Sequence, residues 1–335
     1  MKRYVSVSSV MLLYIIVAIC CSKSGKEVQP PPTVKDTAAE MLTYSINNMK
    51  AEVAISPSLI NLRFADSVYA PKDLVATFTL SPGSSATIGG TAQVSGETKN
   101  NYTGFLNYLV KNKSGVEKHW IVAATNNDYT YDWGLGYFLK QSLSNDRTYD
   151  WYYTQAGTGA YSQINCAPTC AAMCMKWADP NFKGTPEEAR NHFPGNKELW
   201  SLRTIQDCFD DYGFANKGMA LGNTPEETRD ILKEQLEAGN IVVLLLDMGS
   251  IRSYQGASKE PHVDRYYTDR FNHCIVAYGY KEVDGEFYLQ VNDPWNFGSL
   301  YNNGTPKGKG RFYRYEDIAR ACMSMGNYAQ VVLKR

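Results

Sequence analysis

Asn165-Cys166-Ala167-Pro168-Thr169-Cys170-Ala171-Ala172-Met173-Cys174-Met175 is the stretch from which the fold of this chain unfolds as a reading. Proline stands two residues after a cysteine, where its fixed φ and missing N–H suit the first turn of a helix, and strong helix formers follow. Cys166 therefore sits at a helix start. The unpaired N–H groups and the positive dipole end found there favour a thiolate, the form of cysteine that attacks a carbonyl. Cys170 and Cys174 follow at intervals of four, which places them on one stripe of the helix as core residues.

A thiolate nucleophile needs a base supplied by another part of the fold. His273 opens the apolar run from Cys274 to Tyr280, and Asp284-Gly285 separates that run from a second one, Phe287 to Val291. Asp-Gly between two such runs is a strong hairpin signal. Asp293 closes the second strand, so His273 and Asp293 lie near the same end of the ribbon. A carboxylate there can accept from the distal ring N–H, which fixes the tautomer and stabilises the imidazolium.

The surrounding pattern is mixed. Thr185-Pro186-Glu187-Glu188 and Thr224-Pro225-Glu226-Glu227 each put a capping hydroxyl, a proline and two acids at a helix start. The second helix runs to about Ala238, stops at Gly239-Asn240, and is followed by the buried-strand run Ile241 to Leu246. Residues 149–335 therefore predict an α+β domain with an N-terminal helical part and a C-terminal antiparallel sheet. His192 and His262 lie in polar segments and are expected at the surface.

Three pieces, "NCAPTCAAM", "NHCIVAYGY" and "VNDPW", in this order, resemble the papain-like cysteine peptidases, and within them the bacterial peptidases similar to the bacteriocin-leader (double-glycine) enzymes. The resemblance covers about 170 residues. It implies Cys166 as nucleophile, His273 as general base and then acid, and Asp293 as orienting group. It also implies an upstream glutamine whose amide joins the Cys166 N–H in binding the oxyanion. Gln155, ahead of a glycine-containing loop, is favoured over Gln163, which stands only three residues from Cys166. The family usually reads Cys-Gly-Pro; here Ala167 replaces the glycine and adds a methyl group beside the oxyanion position.

Upstream, residues 42–127 carry short alternating runs, among them Asp73 to Leu80 and His119 to Thr125, separated by turn residues. That pattern predicts an all-β sandwich. The phrases "ATFTLSPG", "SGETKN" and "HWIVAAT" resemble immunoglobulin-like modules of Bacteroides surface proteins. The segment has no cysteine and one histidine, so a spacer role is expected, with carbohydrate or protein binding as the competing reading. Residues 128–148 predict a connector packed on both neighbours.

The first 20 residues predict a signal peptide: Lys2 and Arg3 precede an apolar run from Val10 to Ile19. At about ten residues that run is well short of the roughly 20 that span a bilayer. Val17-Ala18-Ile19 followed by cysteine resembles the lipobox of bacterial lipoproteins, with Cys21 as the lipidated residue and 21–41 as a polar, proline-containing tether. An extracytoplasmic protein held by lipid at the outer membrane, on its periplasmic side or at the cell surface, is expected. The 34 basic and 34 acidic residues balance, which leaves no electrostatic footprint for nucleic acid. The expected partner is a peptide or protein substrate, and the expected chemistry needs no cofactor or metal. Two rivals remain open: a degenerate domain kept for binding, and an amide hydrolase acting on cell wall or small peptides.

Overall fold

The computed structural model describes residues 38–193 and 198–334. The expected signal peptide, Cys21 and most of the tether lie outside them. The described residues pack as one unit.

Nine strands come first: β1 (Met41–Ile46), β2 (Ala51–Ser56), β3 (Leu59–Phe64), β4 (Leu74–Leu80), β5 (Ser85–Ile88), β6 (Thr91–Ala92), β7 (Lys99–Asn100), β8 (Leu106–Lys111) and β9 (Glu117–Thr125). They form a three-stranded sheet, β1-β4-β7, and a six-stranded sheet, β2-β3-β9-β8-β5-β6. Pairing is antiparallel except between β3 and β9. Tyr44 and Phe78 from the first sheet share one core with Ile60, Leu62, Trp120 and Val122 from the second. The period-two alternation expected of half-buried strands is clearest in β9, where Trp120, Val122 and Ala124 point inward.

Residues 128–148, expected as a connector, contribute structure of their own. Helix α1 (Asp128–Asp132) is followed by β10 (Leu139–Ser144), which pairs with the outer half of β13 (Asn272–Val283). The downstream helices are α2 (Cys166–Ala178), α3 (Pro186–His192), α4 (Leu202–Asp211), α5 (Pro225–Glu237) and α6 (Tyr315–Met323). The remaining strands are β11 (Asn216–Ala220), β12 (Ile241–Asp247), β14 (Glu286–Asn292), β15 (Arg311–Arg314) and β16 (Tyr328–Val332). They join in a seven-stranded antiparallel sheet, β11-β16-β12-β13-β14-β15, with β10 beside β13.

Both Thr-Pro-Glu-Glu segments are capping boxes, with Thr185 and Glu188, and Thr224 and Glu227, bonding reciprocally. The sheet is covered on two faces, which is why β12 and β13 are near-continuous apolar runs. Ile241, Val243, Cys274 and Val276 face α2 and α4, while Val242, Leu244, Ile275 and Ala277 face α5 and α6. Helices and sheet are thus interleaved in sequence: α5 and α6 lie on the far face, and β10 and β11 enter from positions ahead of the expected sheet region. Helix α2 is buried almost all round, so Cys170 and Cys174 belong to a central helix more than to a stripe.

Asp284 and Gly285 both adopt positive φ, 52° and 84°, as the two-residue hairpin turn requires. The Asp284 carboxylate also accepts from the Tyr137 N–H at 2.7 Å and the Phe138 N–H at 2.9 Å, tying the hairpin to the segment ahead of β10. Gly136 is needed at that contact, because a Cβ there would overlap Asp284 Oδ2. Asp284→Ala is expected to cost about 1–2 kcal/mol, mostly from the two orphaned amides. Urea denaturation measures it, and an unchanged midpoint would remove the contact from the stability account.

Candidate active site

Helix α2 begins at Cys166, as its proline spacing predicts. The residue before it, Asn165, does not cap the helix with its side chain. Asn165 Nδ2 instead donates to Thr158 O and Oγ1, both at 2.9 Å, and its Oδ1 accepts from Arg190 Nε at 2.7 Å. Arg190, from α3, also donates to Ile164 O at 3.0 Å. The approach to the thiol is therefore braced by a buried guanidinium that no local pattern marks.

Across from the helix, His273 Nε2 and Asp293 Oδ1 stand 2.7 Å apart, both side chains fully buried. Their shared face depends on a bulge. Ala277 pairs with Val291 but Gly279 pairs with Gln290, leaving Tyr278 as an extra residue on β13. Continuing that register, Asp293 falls opposite Ile275, on the face that His273 occupies two residues away. Without the extra residue the register would slip by one and the two side chains would take opposite faces.

Four donors surround the carboxylate. Oδ1 accepts from His273 and from the Trp295 N–H at 2.8 Å; Oδ2 accepts from Tyr267 at 3.0 Å and Tyr313 at 2.5 Å. Burial alone would raise the Asp293 carboxyl, but His273, Tyr313 and the Trp295 amide hold it below the usual carboxylate range. Gly308 packs so closely on the Asp293 carbonyl that a Cβ would overlap it. Phe271, at 5.3 Å, and Trp295, at 6.2 Å, both meet the His273 ring edge-on, which closes the imidazole–carboxylate pair off from water.

His273 Nδ1 is buried and has no hydrogen-bond partner among the described residues. Cys166, 6% exposed, is the thiol that faces the ring. Such contacts are commonly long before substrate arrives. A hydrogen bond from the Cys274 thiol holds the Cys166 thiol well below its ordinary range against the effect of burial, and the His273 ring adds to this. Burial would lower the imidazolium, but the Asp293 carboxylate and Cys166 raise His273 to about 9. Thiolate and imidazolium are thus the favoured forms. Burial instead pushes Cys170 and Cys174 well up, and Cys208 and Cys322 to about 12, so these stay neutral. All six described cysteines are free thiols.

Gln155 is fully buried and Gln163 is exposed. Gln155 N donates to Pro294 O at 2.9 Å and its Nε2 to Ser162 O at 2.9 Å, so the residue spans the loop of Asp293 and the loop that enters α2. Tyr152 and Thr154 reinforce that seam, donating to Asp293 O at 2.9 Å and Asn296 O at 2.8 Å. Ala167 is buried in the first turn of α2.

His192 is exposed, beside Asp211. His262, expected at the surface, is instead stacked between Trp133, at 4.8 Å, and Tyr301, at 3.9 Å. Burial, with Arg311 nearby, lowers it to about 4. Tyr267, Tyr313, Cys274, Asn165 and Arg190 are site residues that the sequence reading passed over. Only Asn165 and Cys274 adjoin a recognised residue.

A cavity of about 1020 Å³ lies away from this cluster on the six-stranded sheet, beside Phe105 and Ile121, and no cysteine or histidine lines it. No group of His, Cys, Asp or Glu among the described residues is arranged to hold a metal ion.

A helix-start thiol, an imidazole and an ionised carboxylate thus stand together at one end of the antiparallel sheet. The chain belongs to the peptidase C39 like family, whose model matches residues 151–323, more than half of its length. No curated protein matches it. A structure described as a C39-like peptidase from Bacillus anthracis is similar over 58% of this chain and 98% of its own, at 15% identity and a TM-score of 0.37. One described as a glycoside hydrolase from Bacteroides thetaiotaomicron is similar over 92% of this chain and 91% of its own, at 13% identity and a TM-score of 0.24. At these scores neither likeness defines the fold.

Proposed function

We propose that the protein is a cysteine peptidase that hydrolyses peptide bonds through Cys166, His273 and Asp293. The observation that carries this reading is the 2.7 Å His273–Asp293 pair facing a thiol at a helix start. The Cys166 thiolate attacks the scissile carbonyl, and the oxyanion is met by the Cys166 N–H and Gln155 Nε2, which keeps one hydrogen beyond its bond to Ser162. His273 gives its proton to the leaving amine. It then takes one from the water that releases the acyl enzyme.

We further propose that residues 1–20 are a signal peptide, that Cys21 carries lipid, and that residues 42–127 form an immunoglobulin-like spacer holding the catalytic domain away from the outer membrane. Among the described residues no helix is long and apolar enough to cross a membrane.

Unfolded casein tests the reading. New N-termini identified by mass spectrometry, abolished by prior alkylation of Cys166, are the expected result. Rapid Cys166 alkylation without casein cleavage would favour an amide hydrolase of smaller substrates. Slow alkylation together with no cleavage would favour the binding module, with the Ala167 methyl group as the blocking feature.

A further inference from the structure

A cavity of about 300 Å³ adjoins the acid end of the site, and its wall includes Arg265, Lys307, Arg311, Tyr266, Tyr267 and Tyr301. Tyr267 forms part of this wall while its hydroxyl donates to Asp293 Oδ2; Tyr266 does so while donating to Trp295 O. Cavity and candidate catalytic acid therefore share a wall.

The charges there are unbalanced. Arg265 and Arg311 are 6% and 1% exposed. Neither has a carboxylate partner among the described residues, whereas the nearby Arg252, Arg314 and Arg320 are paired with Asp317, Asp264 and Asp317. Arg311 donates to Pro261 O, Val263 O and Asp264 O and to the Tyr301 hydroxyl. Arg265 donates to Thr268 O, Asp269 O and, at 3.5 Å, Ser253 Oγ, but its Nε is buried with no partner. Carbonyl dipoles soften a buried cation without neutralising it. Glu260 is the one carboxylate in the wall, and it accepts from the Asn302 N–H.

We propose that this cavity is an anion subsite that takes the carboxylate of a peptide substrate, from an acidic side chain or a chain terminus. Arg265, Arg311 and Lys307 supply charge, and the tyrosine rings supply an apolar collar. The proposal rests on the peptidase reading for the identity of the ligand. A free oxyanion such as phosphate offers the same chemistry, so the test separates the two.

The full chain carrying Cys166→Ser is titrated by calorimetry with inorganic phosphate and with acetyl-Ala-Ala-Ala-Glu and acetyl-Ala-Ala-Ala-Gln, each as free acid and as amide. The peptide acids are expected to bind about tenfold tighter than the Gln amide, as a charge-assisted hydrogen bond would give, and phosphate is expected to compete with them. Lys307→Met, whose ammonium makes no hydrogen bond among the described residues, is expected to weaken the acids about threefold, and rising salt is expected to do the same. Arg265→Gln should weaken them further if it folds; Lys307→Met keeps the test open if it does not. Phosphate binding that is sensitive to Lys307 but not displaced by peptides would overturn the substrate subsite in favour of a free-anion site. No discrimination between acid and amide, or no effect of either variant, would reduce the cavity to packing. Because only binding by a Cys166→Ser protein is read, this failure is distinct from any failure of hydrolysis by the wild type.

Discussion

Replacing His273 with alanine is expected to slow iodoacetamide labelling of Cys166 at pH 6 roughly 100-fold, by returning the thiol toward its ordinary pKa of about 8.5. At pH 6 an ordinary thiol is well under 1% ionised, roughly 0.3%. The greater intrinsic nucleophilicity of a higher-pKa thiolate recovers part of that loss. The Cys274 thiol would remain as a donor and recover a further part. In the wild type, labelling should already be fast at pH 6, because the thiol is held well below its ordinary range. The imidazolium partner persists to about 9. His273 is raised in the folded state, so the stability it contributes is complete below its free value of 6.5 and is lost as the pH rises through about 9. In the wild type the depressed Cys166 thiol works in the opposite sense up to its ordinary pKa of about 8.5. Urea midpoints should therefore fall mainly above about 8.5, as the imidazolium is lost near 9, and those of His273→Ala should lose this component. Slow and equal labelling of both proteins would sink the nucleophile–base pair and leave a binding domain.

Asp293→Asn carries the second large effect. The carboxylate accepts from four donors. An amide retains a single acceptor oxygen and turns two N–H groups toward the same donors. Either His273 takes the wrong tautomer or a buried donor goes unpaired. Hydrolysis is expected to fall roughly 1,000-fold or more, by analogy with loss of the orienting carboxylate in a serine triad. Stability is expected to fall by about 2–4 kcal/mol from the unsatisfied buried groups. Steady-state kinetics on a cleaved casein peptide, with urea denaturation alongside, read both quantities. Activity within about tenfold of wild type would demote Asp293 to a turn residue that only packs against His273.

The site was legible in part for local reasons. Helix starts announce themselves within four residues, because a cap hydroxyl, a proline and a third-position acid act on one turn, and Thr185 and Thr224 bond as their neighbours predict. The Asp284-Gly285 turn is equally local, since both residues must take positive φ. Cys166 and His273 followed from such signals, the one at a helix start and the other at a strand start. Gln155 came from family likeness; it is buried beside the Pro294 loop, whereas Gln163 is exposed.

Other features depend on groups far apart in the chain, where no periodicity applies. His262 sits in a polar segment, yet Trp133 and Tyr301 close over it from both sides. Residues 139–144 read as part of a connector because β10 finds its partner in β13, more than a hundred residues later. Tyr267 and Tyr313 look like ordinary aromatic residues until the sheet brings their hydroxyls to Asp293.

By itself the sequence determined the balanced charge and the order of thiol, imidazole and carboxylate, which need only the chain order, and the mixed α+β pattern, the helix caps and the hairpin turn, because each of these follows from residues within a turn or a strand of one another. Tertiary structure alone decided that the bulge at Tyr278 puts His273 and Asp293 on one face, that two phenols hold the acid, that Cys274 and His273 together lower the Cys166 thiol, and that Arg265 and Arg311 are buried with no carboxylate partner among the described residues. Those outcomes depend on register and packing between distant segments, and burial is what turns a distant contact into a shifted pKa or an unmet charge.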